Sequence, residues 1–365
     1  MSSQGRVAAP GGKAALPGLQ VSTALVNSGR MRAMVLKEPA PVDSSPLVLE
    51  DLPEPDPSEG EIVIAVSVCG VCRTDLHVVE GELPPVRERI TPGHQVVGRV
   101  VRRGPGAARF HEGQRVGVTW LYRTCGSCVH CREGSENLCR SARFTGWHQD
   151  GGYAERICVL EAFAYPIPEV FGDVEAAPLL CAGVIGYRAL RRSTIAPGGR
   201  LGLYGFGSSA HIALQVARHW GCEVFVCSRG EEHRALAREL GAVWAGEAAE
   251  APPEKLDAAI LFAPAGELVL PGLAALRAGG TLACAGIYMS EIPALDYAEH
   301  LFEERSLTSV TAHTRRDAEE LLAIAAEIPL RPQTTCFPLE QANQALQQLK
   351  QDRISGSAVL ELGVA

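Results

Sequence analysis

No stretch of the 365-residue sequence is an unbroken apolar run of membrane-spanning length. The most apolar segment, 258–276, is interrupted by Pro264, Gly266, Glu267, Pro271 and Gly272. That pattern suits a buried strand followed by a helix. A basic excess is also missing. Lys and Arg number 34 against 42 Asp and Glu, a net charge of −8, so the footprint of a nucleic-acid binder is absent. Charged residues make up only 21% of the chain and hydrophobic ones 46%, which excludes wholesale disorder and allows ordinary globular cores. Residues 1–30 are rich in Ala, Gly, Pro and Ser and lack a sustained apolar block. Neither a secretory signal nor a packed element is expected there, only a disordered extension. No internal repeat is visible.

Cysteine, by contrast, is plentiful: there are twelve. Without an export signal, a reducing cytoplasmic setting is expected, where thiols bind metal more often than they pair.

The length leaves room for about two domains. Met31 opens a strand-like run, MRAMVLK. Segments 61–68, 96–101 and 115–120 follow as short strands separated by Gly and Pro, so 31–160 reads as mostly β. From about Glu169 the rhythm changes. Strand-like segments at 201–206, 223–228, 257–262 and 281–287 alternate with helical ones such as 211–220 and 231–240. Alternation of this kind specifies an α/β fold, a doubly wound parallel sheet covered by helices on both faces. Beyond about Thr311, two helical segments lead to a terminal strand, SAVLEL.

Cys125, Cys128, Cys131 and Cys139 lie within fifteen residues, CGSCVHCREGSENLC. Four thiolates so spaced can close a tetrahedral zinc site with no open position, a structural role. Cys72 in GVCRTDLH, His94 in TPGHQVVG and Cys181 in PLLCAGVIGY form a dispersed set. Two thiolates and an imidazole would leave a fourth position open, as catalytic zinc requires. Spacing alone does not assemble them. Taken singly, Cys181 reads as a small core residue and His94 as a satisfied histidine.

The turn Gly205-Phe206-Gly207-Ser208-Ser209-Ala210 follows a strand and opens a helix. In that context it reads as a pyrophosphate-binding turn, with phosphate at the helix N-terminus. About 20 residues on, an acidic residue would grip the adenosine ribose of NAD. Ser228 stands there instead, followed by Arg229, which favours NADP(H). The competing reading makes Arg229 a surface charge at a strand end.

Four motifs in order, GVCRTDLHVVEG (70–81), PGH (92–94), the four-cysteine lobe and the turn at 205–210, identify a resemblance covering 31–365. The sequence resembles the zinc-containing medium-chain dehydrogenase/reductase family, alcohol dehydrogenase type. The resemblance implies a mostly β GroES-like catalytic domain at 31–165 with a zinc lobe at 123–141. It also implies a Rossmann dinucleotide-binding domain at 166–311 and a segment, 312–365, that returns to the catalytic domain. It implies two zinc ions per chain, with Cys72, His94 and Cys181 holding the catalytic one. Asp75 would fix the tautomer of His94. Thr74 and His77 would form a proton relay running past the cofactor ribose, Arg73 would meet the pyrophosphate, and Ile287 would touch the cofactor. The activity implied is hydride transfer between a small alcohol or aldehyde and NAD(P), by a homodimer or homotetramer. Alternatives are a polyol or cinnamyl-type reductase on the same fold, or a non-enzymatic nucleotide-binding protein.

The sequence departs from the family pattern in places. Gln95 follows His94 where a Glu is usual. Ile185 stands where a Thr is expected near the nicotinamide, and Ser357 where many relatives carry a cofactor-binding Arg. Leu83 and Leu121 replace aromatic side chains that narrow the substrate pocket, while Trp120 is expected to line it.

Overall fold

Two large sheets organise the computed structural model, which describes residues 29–363 apart from 249, 329 and 355. The expected N-terminal extension, beyond positions 29 and 30, lies outside the described residues. The folded part opens as a two-stranded antiparallel ribbon, Arg30–Leu36 with Leu47–Pro53.

The first sheet has seven strands built around Glu61–Val71. That strand pairs with Gln95–Arg103 along one edge. Its other edge is divided, with Glu61 to Ala65 facing Arg156–Leu160 and Val68 to Val71 facing Ser357–Glu361. Register shifts near Val63 and Val66 bend it so that one strand serves both neighbours. The bend brings backbones close: a Cβ on Gly98 would stand 2.0 Å from the Ala65 carbonyl oxygen. Only glycine fits there.

The second sheet is wholly parallel. Its order is Trp244–Gly246, Glu223–Cys227, Arg200–Tyr204, Leu256–Leu261, Leu276–Cys284, Ser306–Ser309. Val224, Val226, Leu201, Leu203, Ile260 and Leu261 are all fully buried, the near-continuous apolar pattern of strands covered on both faces. Strand order reverses beside Arg200–Tyr204, opening a crevice at its carboxyl end. Helix Ser208–His219 starts there, and helix Ala182–Ser193 lies close against it. A Cβ on Gly186 would come within 2.8 Å of the Ser209 carbonyl oxygen.

Two features differ from the sequence reading. Helix Arg73–Glu80 interrupts the β-rich region; eight residues are too few to show a helical period. Helix Arg315–Glu327 packs Ala318, Leu321, Leu322 and Ala325 into the core of the parallel sheet. The return to the first sheet therefore begins with Thr334–Pro338, later than the expected division at 312. The broken apolar segment 258–276 spans the end of a buried strand and helix Val269–Ala275. Among the described residues no helix is long and apolar enough to cross a membrane.

Candidate active site

Cys72 ends the extended strand and caps helix Arg73–Glu80, its Sγ accepting the Thr74 N–H at 3.3 Å. Asp75, one turn in, accepts the Cys72 N–H at 2.9 Å through Oδ2. Its Oδ1 accepts the Gly93 N–H at 3.2 Å and lies 3.0 Å from His94 Nδ1. Gly93 has φ +101, and a Cβ there would stand 2.4 Å from the Tyr153 ring, so the Pro-Gly-His turn needs its glycine. Asp75 and His94 are both fully buried. With Nδ1 committed to Asp75, His94 presents Nε2 to Cys72 Sγ at 3.3 Å.

Cys181, where the chain enters helix Ala182–Ser193, brings its Sγ to 4.0 Å from that of Cys72. The three ligand atoms lie within 4.8 Å of one another. Zinc bonds of about 2.3 Å to sulfur and 2.0–2.1 Å to nitrogen, at tetrahedral angles, need separations of about 3.8 and 3.5 Å. The donor set fits zinc. A hydrogen bond with Cys181 and the nearby His94 pull the Cys72 thiol well below its ordinary range, against burial. The same hydrogen bond and burial push the Cys181 thiol well above its own range, so without a metal the two sulfurs share one proton.

The second sulfur set also converges. Cys125, Cys128, Cys131 and Cys139 place their Sγ atoms within 4.8 Å of one another, with Cys128 and Cys131 3.5 Å apart. Backbone N–H groups of Ser127 and Cys128 hold Cys125 down to about 6. Against an opposing Cys131 N–H, burial and the surrounding thiols push Cys128 up to about 11. None of the twelve cysteines forms a disulfide. The lobe is tied to the parallel-sheet side of the molecule: Asn137 Nδ2 donates to the Thr311 carbonyl at 2.8 Å and Arg315 pairs with Glu136 at 3.2 Å.

Beside His94 stands an aromatic wall. Trp120 meets the His94 ring edge-on at 5.0 Å and stacks on Phe144 at 5.0 Å and Trp147 at 6.1 Å. Leu121 is fully buried, and Leu83 is partly buried against the first sheet's core. Behind Trp120, buried Thr119 shares a 2.9 Å hydrogen bond with Nε2 of buried His313. Burial holds His313 down to about 4, so it is a neutral ring.

At the crevice, Gly205 has φ +87 and a Cβ on it would meet the Ala263 backbone nitrogen at 2.8 Å. Gly207 caps helix Ser208–His219 in extended conformation with nothing within 4 Å of a built Cβ, leaving room for a ligand's close approach. Ser209 and Ala210 follow in the first turn. The Ser208 and Ser357 hydroxyls hydrogen-bond across the gap between the sheets. Arg73 does not stand free; its guanidinium pairs with Asp352. Ser228 is buried and Arg229 exposed, with no charged partner for Arg229 among the described residues. Arg234, which the sequence reading passed over, donates to the Ser228 and Arg229 carbonyls and pairs with Glu231 and Glu247. Ile287 is 56% exposed, just beyond strand Leu276–Cys284.

Thr74 is buried beside Cys72, and His77 Nδ1 hydrogen-bonds the Glu82 carboxylate. Glu82, Phe144, Trp147 and His313 were not singled out in the sequence. Only Glu82 carried a signal, an acid one residue beyond the glycine that closes the motif at 70–81.

The comparisons agree on one family. Residues 58–169 match the alcohol dehydrogenase GroES-like domain and residues 210–327 the zinc-binding dehydrogenase domain. A probable alcohol dehydrogenase, AdhA, of Mycobacterium tuberculosis is 53% identical over 335 residues, 90% of this chain and 97% of that one. An alcohol dehydrogenase of Geobacillus stearothermophilus is 34% identical over 87% of this chain and 96% of its own length. Among solved structures, a cinnamyl alcohol dehydrogenase from Sorghum bicolor superposes with a TM-score of 0.81. It is 27% identical and covers 91% of this chain and 97% of its own. An acetophenone reductase from Geotrichum candidum, solved with NAD, has a TM-score of 0.82 at 24% identity. It covers 92% of this chain and 98% of its own, and shows the shared fold.

Proposed function

This chain belongs to the zinc-type medium-chain alcohol dehydrogenases, and on that premise we propose a role for each of its two sulfur sets and for its crevice. It is an oxidoreductase using zinc and NAD(P) on small alcohols or aldehydes. Zinc, when bound, supplies a Lewis acid that lowers the pKa of a coordinated hydroxyl, for water from about 15.7 to about 7, so that hydride can pass to the nicotinamide.

Cys72, His94 and Cys181 hold the catalytic ion, and the observation that carries this is their convergence in front of Asp75. Asp75 keeps the His94 proton on Nδ1, so Nε2 stays available to the metal. Thr74 and His77 move the substrate's proton toward water. Cys125, Cys128, Cys131 and Cys139 hold a second, structural ion, giving two per chain. The domain division follows the two sheets, with 123–141 as the zinc lobe.

The turn from Gly205 to Ala210 receives the cofactor pyrophosphate at the helix N-terminus, and Arg73 leaves Asp352 to meet it. Ile287 borders the nicotinamide. At the end of Glu223–Cys227, Ser228 and Arg229 suit a 2′-phosphate, so NADP(H) is the preferred cofactor. Support comes from Arg234, which is already committed to carbonyls and carboxylates and leaves Arg229 available.

The Trp120–Phe144–Trp147 wall favours flat, apolar alcohols of cinnamyl or benzyl type over polyols, whose hydroxyls would lose water against it. A homo-oligomer, dimer or tetramer, would cover the edge strand Ser306–Ser309. Exposed Tyr297, Phe302 and Leu307 accompany that edge. Nicotinamide absorbance with a panel of alcohols and both cofactors, on zinc-assayed protein, tests the reading. Activity on aromatic alcohols with NADP supports it. Stoichiometric zinc with no oxidation of any alcohol would reject it.

A further inference from the structure

His77 is pinned by the turn that follows its helix. Helix Arg73–Glu80 closes at Gly81, whose φ is +78, and a Cβ there would press within 2.9 Å of the Pro39 side chain. The turn folds the chain back, so the Leu83 N–H reaches the His77 carbonyl at 3.1 Å. The same reversal sets the Glu82 carboxylate on His77 Nδ1. Tyr288 approaches the imidazole with ring centroids 5.9 Å apart. The His77 side chain is 14% exposed and that of Glu82 42%, so the ring is sheltered while its carboxylate partner reaches water.

Other charges nearby are engaged elsewhere. Glu80 pairs with Lys350 at 2.7 Å and accepts the Val42 N–H at 2.9 Å, and Asp43 lies on the Lys350 side. Glu82 is therefore the carboxylate that meets the ring directly.

We propose that Glu82 is the positioning residue at the outer end of the proton path. The proposal rests on the reading of Thr74 and His77 as that path. Glu82 holds the Nδ1–H, which leaves the Nε2 lone pair to accept a proton. During alcohol oxidation the substrate O–H bond breaks and its electron pair stays on oxygen. The proton is handed outward until it bonds to His77 Nε2. The resulting imidazolium sits against the Glu82 charge until Nε2 releases the proton to water. Nothing is oxidised or reduced in this step; the hydride of the same turnover goes to the nicotinamide. The logic is that of any imidazole whose second nitrogen is oriented by a carboxylate.

The test uses the zinc-loaded full chain. Nitrogen NMR of labelled histidines, with His77 assigned through His77→Ala, reads which ring nitrogen carries the proton, without cofactor or substrate. The Nδ1–H form is expected in the parent and in Glu82→Gln, whose amide oxygen still accepts, and its loss is expected in Glu82→Ala. In turnover, Glu82→Ala should lower kcat about tenfold or more. The KM for cofactor and the zinc content should stay unchanged, and added imidazole should restore part of kcat. Glu82→Gln should fall between, and Glu80→Gln should match the parent in both measurements. An unchanged tautomer and kcat in Glu82→Ala, beside a damaged His77→Ala, would overturn the assignment of Glu82 alone. A harmless His77→Ala in an active enzyme would remove the proton path and the proposal with it.

Discussion

Oδ1 of Asp75 lies 3.0 Å from Nδ1 of His94, with both side chains sealed from solvent. Burial raises the Asp75 carboxyl above its ordinary value, against the lowering pull of His94 and the Cys72 N–H, and the Gly93 N–H also donates to it. Asp75→Asn would present either an amide oxygen or an N–H to Nδ1, and it removes the charge that orients the ring. Zinc affinity should fall about 10- to 100-fold. Competition with a chelator, followed by zinc release, reads this, and unchanged affinity would show that His94 needs no orientation.

Cys128→Ala should act on stability before chemistry. The lobe anchors the segment 311–315 through Asn137 and Glu136, so losing the metal proposed for it would loosen the junction between the two sheets. We expect a fall in Tm on the order of 10 °C, with kcat per folded molecule nearly kept at low temperature. Calorimetry beside turnover at 20 °C and below checks it; lost turnover without lost Tm would contradict the structural role.

Acid stability should carry the mark of His313. Burial holds it, and likewise His211, down to about 4, whereas an unfolded histidine titrates near 6.5. Above that value both states are neutral and the rings contribute no pH dependence. Between about 6.5 and 4 the unfolded chain binds protons that the folded chain refuses, so stability falls as pH falls. Each ring contributes about 1.4 kcal/mol per pH unit across that window. His313→Gln keeps a partner for Thr119 and should flatten the slope by about one proton. Denaturant unfolding between pH 4.5 and 7 measures it, and identical slopes would contradict the buried neutral ring.

Much of this was legible in the sequence, for reasons that can be stated residue by residue. The four-cysteine lobe and the turn from Gly205 to Ala210 are contiguous, so the chemistry sits inside one short window. The parallel sheet was legible because strands buried on both faces read as apolar runs. Cys72 and Cys181 are 109 residues apart and His94 is 22 from Cys72, so spacing could not join them and the family resemblance did. The Ser208–Ser357 hydrogen bond spans 149 residues, and the wall joins Trp120 to Phe144 and Trp147 through stacking alone. Neither leaves a period in the chain. Helix Arg73–Glu80 is too short, at eight residues, to show a helical period in the sequence.

On the proposed reading, cofactor choice turns on one exposed guanidinium, that of Arg229. Arg229→Ala should raise the KM for NADPH about 10- to 100-fold, the worth of one charge-assisted hydrogen bond, and leave that for NADH nearly unchanged. Ser228→Asp should move preference toward NADH by repelling the 2′-phosphate. Initial rates with both cofactors decide the matter. Equal efficiency in the parent, unaltered by Arg229→Ala, would make Arg229 a solvated surface charge.

On the proposed reading, an open cysteine–histidine–cysteine centre does the chemistry while a closed four-cysteine centre holds structure. Zinc per chain, measured together with turnover in the parent and in folded Cys181→Ala, tests it most directly. The expected result is two ions and activity in the parent, against one ion, a Tm within a few degrees and no measurable turnover in the variant. Two ions and undiminished turnover in Cys181→Ala would contradict it.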